Sequence, residues 1–247
     1  MAKGIRLDQA LVQRGFFPSR HQAQSAIMAG EIRINGRVAE KASDLVMAEH
    51  EIQIAARSRY VGRGGLKLEG AIAHFQIVCE GGVGLDIGAS TGGFTDCLLQ
   101  HGAKKVFAVD VGHGQLAWKI RDDSRVITLE KTNARNLSRA EIPEPIDICA
   151  VDVSFISLTL ILPPALALLS NGGVIIPLIK PQFELRKEDV GKGGVVRDPA
   201  LHEQAVEKIR AFVATLPSLA WSGLIESPIL GGEGNKEFLA CLRVASV

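Results

Sequence analysis

A chain of 247 residues with 47% hydrophobic and 22% charged side chains has room for one large domain, or a medium one with a small appendage. Its net charge of +1 and four widely spaced cysteines (Cys79, Cys97, Cys149, Cys241) argue against a disulfide-stapled scaffold and a cysteine-ligated metal. MAKGIRLDQA lacks the apolar stretch of a signal peptide, and the most apolar run, FISLTLILPPALALL, is 15 residues broken by Pro163-Pro164, too short to span a bilayer. A soluble, cytoplasmic protein with no membrane partner is expected, with this run as a buried helix and its approach.

The small net charge hides an asymmetry. Residues 1–67 carry 11 Lys/Arg against 6 Asp/Glu, a net of +5, and the other 180 carry 17 against 21, a net of −4. A basic head on a mildly acidic body suits an anionic partner, or is simply a solvated basic surface. Within IRLDQALVQRG, Leu7, Ala10, Leu11 and Arg14 fall at helical spacing and Gly15 marks the stop. SRHQAQSAIMAG predicts a second helix, with Ser19 as N-cap and Gly30 as the break. EIRINGRVAEKASDLV then reads as two strands around an Asn35-Gly36 turn. So small a unit is a binding module, punctuated by Arg6, Arg20, Arg33 and Arg37.

RLDQALVQRGFFPSRHQAQSAIMAGEIRINGRV resembles an S-four RNA-binding domain, carried by its Arg-Leu-Asp opening, the Ser19-Arg20 helix start and the Asn35-Gly36 turn. The resemblance implies that basic side chains meet structured RNA, where phosphate contacts give affinity and positioning more than sequence choice. Arg6, Arg20, Arg33, Arg37 and the later Arg63 are the implied RNA-binding residues.

AARSRYVGRGG leads into a second domain and holds the only tyrosine, Tyr60, expected to pack between domains. The division expected is an RNA-binding domain at 1–57, a linker at 58–66 and a larger domain at 67–247. From Val83 onward short apolar runs alternate with helical ones: VGLDIGA, TDCLLQHG, KVFAVDV, GQLAWKIR, RVITLE, IDICAVDV, ISLTLILPPALALL, GVIIPLIK. That alternation predicts an α/β fold with a mostly parallel sheet covered on both faces. DPALHEQAVEKIRAFVATL is a long amphipathic helix, and WSGLIESPIL and EFLACLRVAS are two strands placed to form an antiparallel edge.

The first of these strands runs into GLDIGASTGGFTD. A dinucleotide fingerprint needs glycine where Ser90 stands, and a P-loop needs lysine where Phe94 stands. What remains is D-x-G-x-x-x-G with Asp86 inside it, and Asp110 ends the next strand, where a carboxylate can accept hydrogen bonds from a ribose diol. This pattern resembles a class I methyltransferase: a Rossmann-like, seven-stranded, mostly parallel sheet binding S-adenosyl-L-methionine. The resemblance implies a cofactor set of Asp86, Gly88, Ala89, Ser90, Thr91, Gly92, Gly93, Asp110, Val111 and Asn133.

Enzymes acting on exocyclic amines often carry [DN]-P-P-[YF], whereas here the fourth strand ends Asp152-Val153-Ser154-Phe155. No Pro-Cys pair offers a C5-type nucleophile. A hydroxyl acceptor needs a base, and a lysine made neutral by burial and nearby positive charge can serve while a carboxylate orients it. Lys180, ending the apolar run GVIIPLIK, fits that task; the alternative is an ordinary ion pair.

The body resembles the FtsJ-like ribose 2′-O-methyltransferases, whose Lys-Asp-Lys-Glu order is met by Lys67 in RGGLKL, Asp152, Lys180 in PLIKPQFE and Glu237 in GNKEFL. Head and body together resemble the TlyA (hemolysin A) family, through GASTGGFTD, DVGHGQLAWKIR, KTNARNL, DVSFISL, IKPQFE and VGKGGVVRDP. That resemblance implies 2′-O-methylation of cytidine in large-subunit and, in some members, small-subunit ribosomal RNA, with rRNA or ribosomal subunits as partner. It implies Lys180 as general base, Asp152 and Lys67 as its orienters, and Glu237 as support. GKGGVVRDP either closes over RNA or simply connects. His113 is expected as a loop residue, and the six scattered histidines suggest no metal site. The rival readings are a membrane-active toxin, an RNA-binding protein that has lost catalysis, and a methyltransferase acting on another RNA or a base nitrogen.

Overall fold

The computed structural model describes residues 4–54 and 59–245, and the boundary expected at 57/58 lies outside the described residues. The head comprises β1 (Ile5–Arg6), α1 (Leu7–Gln13), α2 (Arg20–Met28), β2 (Ile32–Ile34), β3 (Arg37–Val38), β4 (Leu45–Val46) and β5 (Ile52–Ile54). The helical spacing in α1 and α2 turns Leu7, Ala10, Leu11, Ala23, Ala26 and Ile27 inward onto Ile32, Val46 and Ile52, which gives the head its own core. Ser19 caps α2 by accepting from the Gln22 amide, as expected. Asn35 (φ 49°) and Gly36 (φ 79°) both sit in the left-handed region that a two-residue hairpin turn demands. The Asn35 side chain also accepts from the Glu51 amide, which ties the hairpin to β5.

Two of the arginines expected to face RNA have a structural duty first. Asp8 is buried, and it accepts from Arg6 Nε and Nη2 (both 3.1 Å), Arg20 Nη2 (2.8 Å) and Gln24 Nε2 (2.7 Å). The Arg6 hydrogen bond foremost, with Arg20 and Gln24, holds the Asp8 carboxyl well below the usual carboxylate range against the opposing effect of burial. Both guanidinium groups keep a solvent-facing side.

The body runs α3 (Gly64–Phe75), β6 (Val83–Ile87), α4 (Gly93–Gln100), β7 (Lys105–Val109), α5 (Trp118–Arg121), β8 (Val126–Leu129), β9 (Ile146–Val151), α6 (Leu162–Leu166), β10 (Leu169–Ile179), α7 (Pro181–Glu184), α8 (Pro199–Val213), β11 (Leu219–Glu226) and β12 (Phe238–Val244). One seven-stranded sheet has the order β11-β12-β10-β9-β6-β7-β8. Five strands are parallel; β12 runs antiparallel to β10, and β11 antiparallel to β12. The strand order reverses between β6 and β9, the crevice where open α/β sheets take ligands.

Two expectations are corrected. Residues 64–66, placed in the linker, form the first turn of α3. Tyr60 is buried in the body's own core and also lines a cavity shared with Phe17, Ala26 and Ala29 of the head. Its ring presses on Gly65, where a Cβ would stand 2.3 Å from it. The apolar run at 155–169 gives a 3-10 turn (Leu158–Leu160) and the five-residue α6, because Pro163 and Pro164 can enter a helix only at its first turn.

Asp8→Ala is expected to speed amide exchange across residues 5–52 by at least about tenfold while the body stays protected, because three donors lose their buried acceptor. Because the folded-state carboxyl titrates lower than the unfolded one, this contribution is present above about pH 4 and fades in acid. Hydrogen-exchange mass spectrometry at pH 7 checks it, and unchanged head exchange contradicts it.

Candidate active site

The parallel strands deliver their carboxyl ends to one edge, and the candidate residues gather there. Gly88 follows β6 with φ 88°, and a Cβ there would stand 2.2 Å from the Asp152 carbonyl oxygen. Only glycine permits so close an approach, which the Asp152 amide secures by donating to the Ile87 carbonyl (2.8 Å). Asp110, the residue after β7, accepts from the Ser90 amide (2.8 Å) and the Gly112 amide (2.7 Å), so it braces the glycine loop and keeps lone pairs for a ligand.

A cleft of about 390 Å³ runs along this edge, lined by Gly88, Ser90, Asp110, Val111, Asn133 and Asp152 among others. A second cavity of about 240 Å³ shares Gly88, Ser90 and Asp152 with it and adds Ala89, Thr91, Gly93 and Arg63. Met28 and Glu40 of the head also line this second cavity. Arg63 spans the two parts of the molecule there, donating to the Leu230 carbonyl (3.1 Å) and lying 3.9 Å from Glu40.

Two residues of the expected cofactor set lie beneath this surface. Gly92 is buried against Leu116 and Ile120. Asp86 is wholly buried; its Oδ2 accepts from the Thr95 amide (2.9 Å) and hydroxyl (2.7 Å), and its Oδ1 has no partner among the described residues. Burial pushes the Asp86 carboxyl up to about 7, opposed by Thr95 and reinforced by the negative charge of Asp152.

The four residues expected to do chemistry form two ion pairs. Lys180 Nζ lies 2.5 Å from Asp152 Oδ1 and donates to Ser154 Oγ (3.0 Å). Lys67, in the second turn of α3, donates to Glu237 Oε2 (2.5 Å). The lysine side chains are 11% and 10% exposed, so each cation is matched by a carboxylate at the price of its hydration. Sheet register brings the pairs to one edge: Ile179 of β10 faces Phe238 of β12, so Lys180 follows and Glu237 precedes one matched pair of residues. The start of α3 reaches this edge too, since a Cβ on Gly64 would be 3.8 Å from Asp152 Oδ2. A Cβ on Gly231 would lie 2.0 Å from Glu237 Oε1, so a side chain there would displace the carboxylate that holds Lys67.

Sequence reasoning missed several neighbours. Phe155 is 90% exposed with φ 63°, strained for an aromatic residue, and its ring lies 4.9 Å from that of Phe183. Its one sequence signal was its place three residues after Asp152. Asn235, buried, accepts from the Val196 amide (2.9 Å) and donates to the Gly194 carbonyl (2.9 Å), so it clamps the glycine-rich loop at 191–196. Of the remaining expected RNA contacts, Arg33 donates to the Gly36 carbonyl (3.0 Å) and Arg37 is exposed. His113 pairs with Glu130 (2.7 Å). Cys149, buried within β9 with its thiol held protonated by burial, is no nucleophile. Among the described residues no group of three or more His, Cys, Asp and Glu side chains is arranged to hold a metal ion, and no helix is long and apolar enough to cross a membrane.

Residues 60–244 match the FtsJ-like methyltransferase family and residues 5–52 match the S4 domain. The 16S/23S rRNA (cytidine-2′-O)-methyltransferase TlyA of Mycobacterium tuberculosis is 44% identical over 247 residues, covering 98% of this chain and 91% of that protein. The chain belongs to the TlyA (hemolysin A) family of FtsJ-like methyltransferases. Hemolysin A of Brachyspira hyodysenteriae is 43% identical over 238 residues, covering 96% of this chain and 98% of its own length. A solved structure from Streptococcus thermophilus, described as a hemolysin candidate, superposes with a TM-score of 0.77 at 43% identity over 99% of this chain and 90% of that one. The methyltransferase match begins at residue 60, so it takes in most of the segment expected as linker.

The buried carboxyl of Asp86 gives a pH-dependent stability. Its folded-state value lies above the unfolded one, so the native state holds the extra proton and stability falls as pH rises from about 4 to about 7. Asp86→Asn is expected to gain on the wild type by roughly 2–4 kcal/mol between pH 5 and pH 8. Urea unfolding at the two pH values checks this; an equal difference at both contradicts it.

Proposed function

We propose that this methyltransferase uses S-adenosyl-L-methionine to methylate a ribose 2′-hydroxyl of cytidine in ribosomal RNA, of the large subunit and also of the small. The observation that carries the reading is the Lys180–Asp152 pair at the switch-point edge, directly beside the glycine loop. Its likeness over nearly the whole chain to a methyltransferase named for cytidine 2′-O-methylation supports the choice of acceptor.

The residues at the edge fit the cofactor. The glycine loop offers a surface free of side chains at Gly88, and Asp110 is oriented by two backbone amides with lone pairs to spare for a diol. The partnerless Asp86 Oδ1 beneath the loop adds a polar atom suited to a bound donor or water. Gly88, Ser90, Asp110, Val111 and Asn133 would hold the nucleoside part, and Ala89, Thr91 and Gly93 the side nearer the second cavity. When bound, S-adenosyl-L-methionine supplies an electrophilic methyl group on a sulfonium.

The protein's own part is to present a deprotonated oxygen. A neutral lysine amine has two N–H donors and one lone pair. Lys180 Nζ donates to Ser154 Oγ and lies 2.5 Å from Asp152 Oδ1, and the lone pair of the neutral amine would receive the proton of the ribose hydroxyl. Lys67, fixed by Glu237, adds a positive charge at the same edge that would favour the developing alkoxide. The exposed Phe155, backed by Phe183, offers a face on which an unstacked base can rest. The S4 head supplies phosphate contacts through Arg6, Arg20, Arg33 and Arg37, and Arg63 lies at the join with the cleft.

Transfer of tritiated methyl groups to separated ribosomal subunits and their naked RNA, wild type against Lys180→Ala, tests the proposal. Loss of turnover by about 100-fold or more with S-adenosyl-L-methionine affinity retained is expected. Undiminished transfer by Lys180→Ala would make the lysine structural.

A further inference from the structure

Lys180 and Asp152 meet at 2.5 Å, yet neither sits on a stiff element. Lys180 is the N-cap of α7, a helix of four residues, too short to hold its own geometry. Asp152 begins an irregular loop whose Phe155 is strained into the left-handed region. Something must keep the two segments in register.

We infer that Glu184 and Lys208, acting through Ser157, are positioning residues for the methyl-transfer reaction: they lock the turn that carries Lys180 to the loop that carries Asp152. The inference rests on the ribose-methylation reading and extends it to side chains outside the cleft. Glu184 is 5% exposed and ends α7 one turn beyond Lys180. Its Oε1 accepts from the Leu158 amide (2.8 Å), and its Oε2 accepts from Ser157 Oγ (2.5 Å) and Lys208 Nζ (3.0 Å). Lys208 Nζ also donates to the Glu184 carbonyl (2.6 Å) and lies 3.4 Å from Ser157 Oγ. All three directions of that ammonium are therefore spent on the two segments.

The contacts close a ring. From Asp152 the chain runs through Ser154 to Ser157, crosses by hydrogen bond to Glu184, returns along α7 to Lys180, and crosses back through the ion pair. The anchor is α8, a 15-residue helix whose Val206 and Ile209 are buried in the core under the sheet, one on each side of Lys208 in sequence. A buried carboxylate with an ammonium partner contributes little net stability compared with an apolar pair of similar size. What such a contact adds is direction, with three bonds converging on one carboxyl group and a fourth on the carbonyl of the same residue.

Steady-state methylation of ribosomal subunits by the full-length protein tests this with Lys208→Met, Lys208→Arg and Ser157→Ala. Lys208 is 43% exposed on its side chain, so its replacement opens no cavity. Lys208→Met is expected to lower kcat about 10- to 100-fold, the effect of a small misplacement of reacting groups. KM for the subunit and calorimetric affinity for S-adenosyl-L-methionine should stay near wild type, and Tm should fall only by a few degrees, because the buried Glu184 carboxylate loses its cation but keeps the Leu158 amide and the Ser157 hydroxyl. Lys208→Arg, able to reach the same acceptors, should recover most of the rate, and Ser157→Ala should fall between. Unchanged kcat in Lys208→Met, loss in step with Tm and cofactor affinity, or no recovery by arginine would each overturn the bracing role alone. Absence of transfer by the wild type to either subunit would overturn the ribose-methylation reading and this inference with it.

Discussion

Placing cations where water is scarce is the constraint on which the rest of this structure depends. Lys67 and Lys180 each retain about a tenth of their side-chain exposure, and each is held by a carboxylate at 2.5 Å. A lysine at such a site persists only when paired, and a pair aligned without strain requires both partners to be fixed by independent elements. The sheet supplies this. Parallel strands β9 and β10 end beside one another, β12 returns antiparallel against β10, and α3 crosses the same edge. Four groups distant in sequence thereby reach one rim.

The glycine loop and the ion pairs are mechanically one unit. Because Gly88 lies against the Asp152 backbone, any shift of the loop moves the carboxylate that orients Lys180. The same contact joins the two cavities, which share Gly88, Ser90 and Asp152. The head completes the outer boundary of the second cavity through Met28 and Glu40.

Much of this was legible in the chain because it is local. The Asn35-Gly36 turn, the Ser19 cap and the strand–helix alternation after Val83 are written in neighbouring residues, and all three appear as expected. The order Lys67, Asp152, Lys180, Glu237 was legible, but the partners were not, since Lys67 and Glu237 are 170 residues apart. Asp8 looked like one polar residue of a helix; its burial and three donors exist only once α1 and α2 pack. Tyr60 and residues 64–66 read as linker because glycine dominates there, whereas those glycines let the segment press on the glycine loop and the start of α4: a Cβ at Gly62 would be 2.6 Å from Thr91 Oγ1 and 3.6 Å from Gly93 Cα. Glu184 lies within IKPQFE with no role legible there, because its donors come from loop and helix segments 26 and 24 residues away.

The central claim is that this edge deprotonates a ribose hydroxyl rather than a base nitrogen or carbon. The most direct measurement is nucleoside mass spectrometry of ribosomal RNA treated with the wild-type protein and S-adenosyl-L-methionine bearing a deuterated methyl group. Label is expected in 2′-O-methylcytidine, on the ribose fragment after glycosidic cleavage. Label on the base fragment would contradict it and leave Lys180 without the proton it is placed to receive.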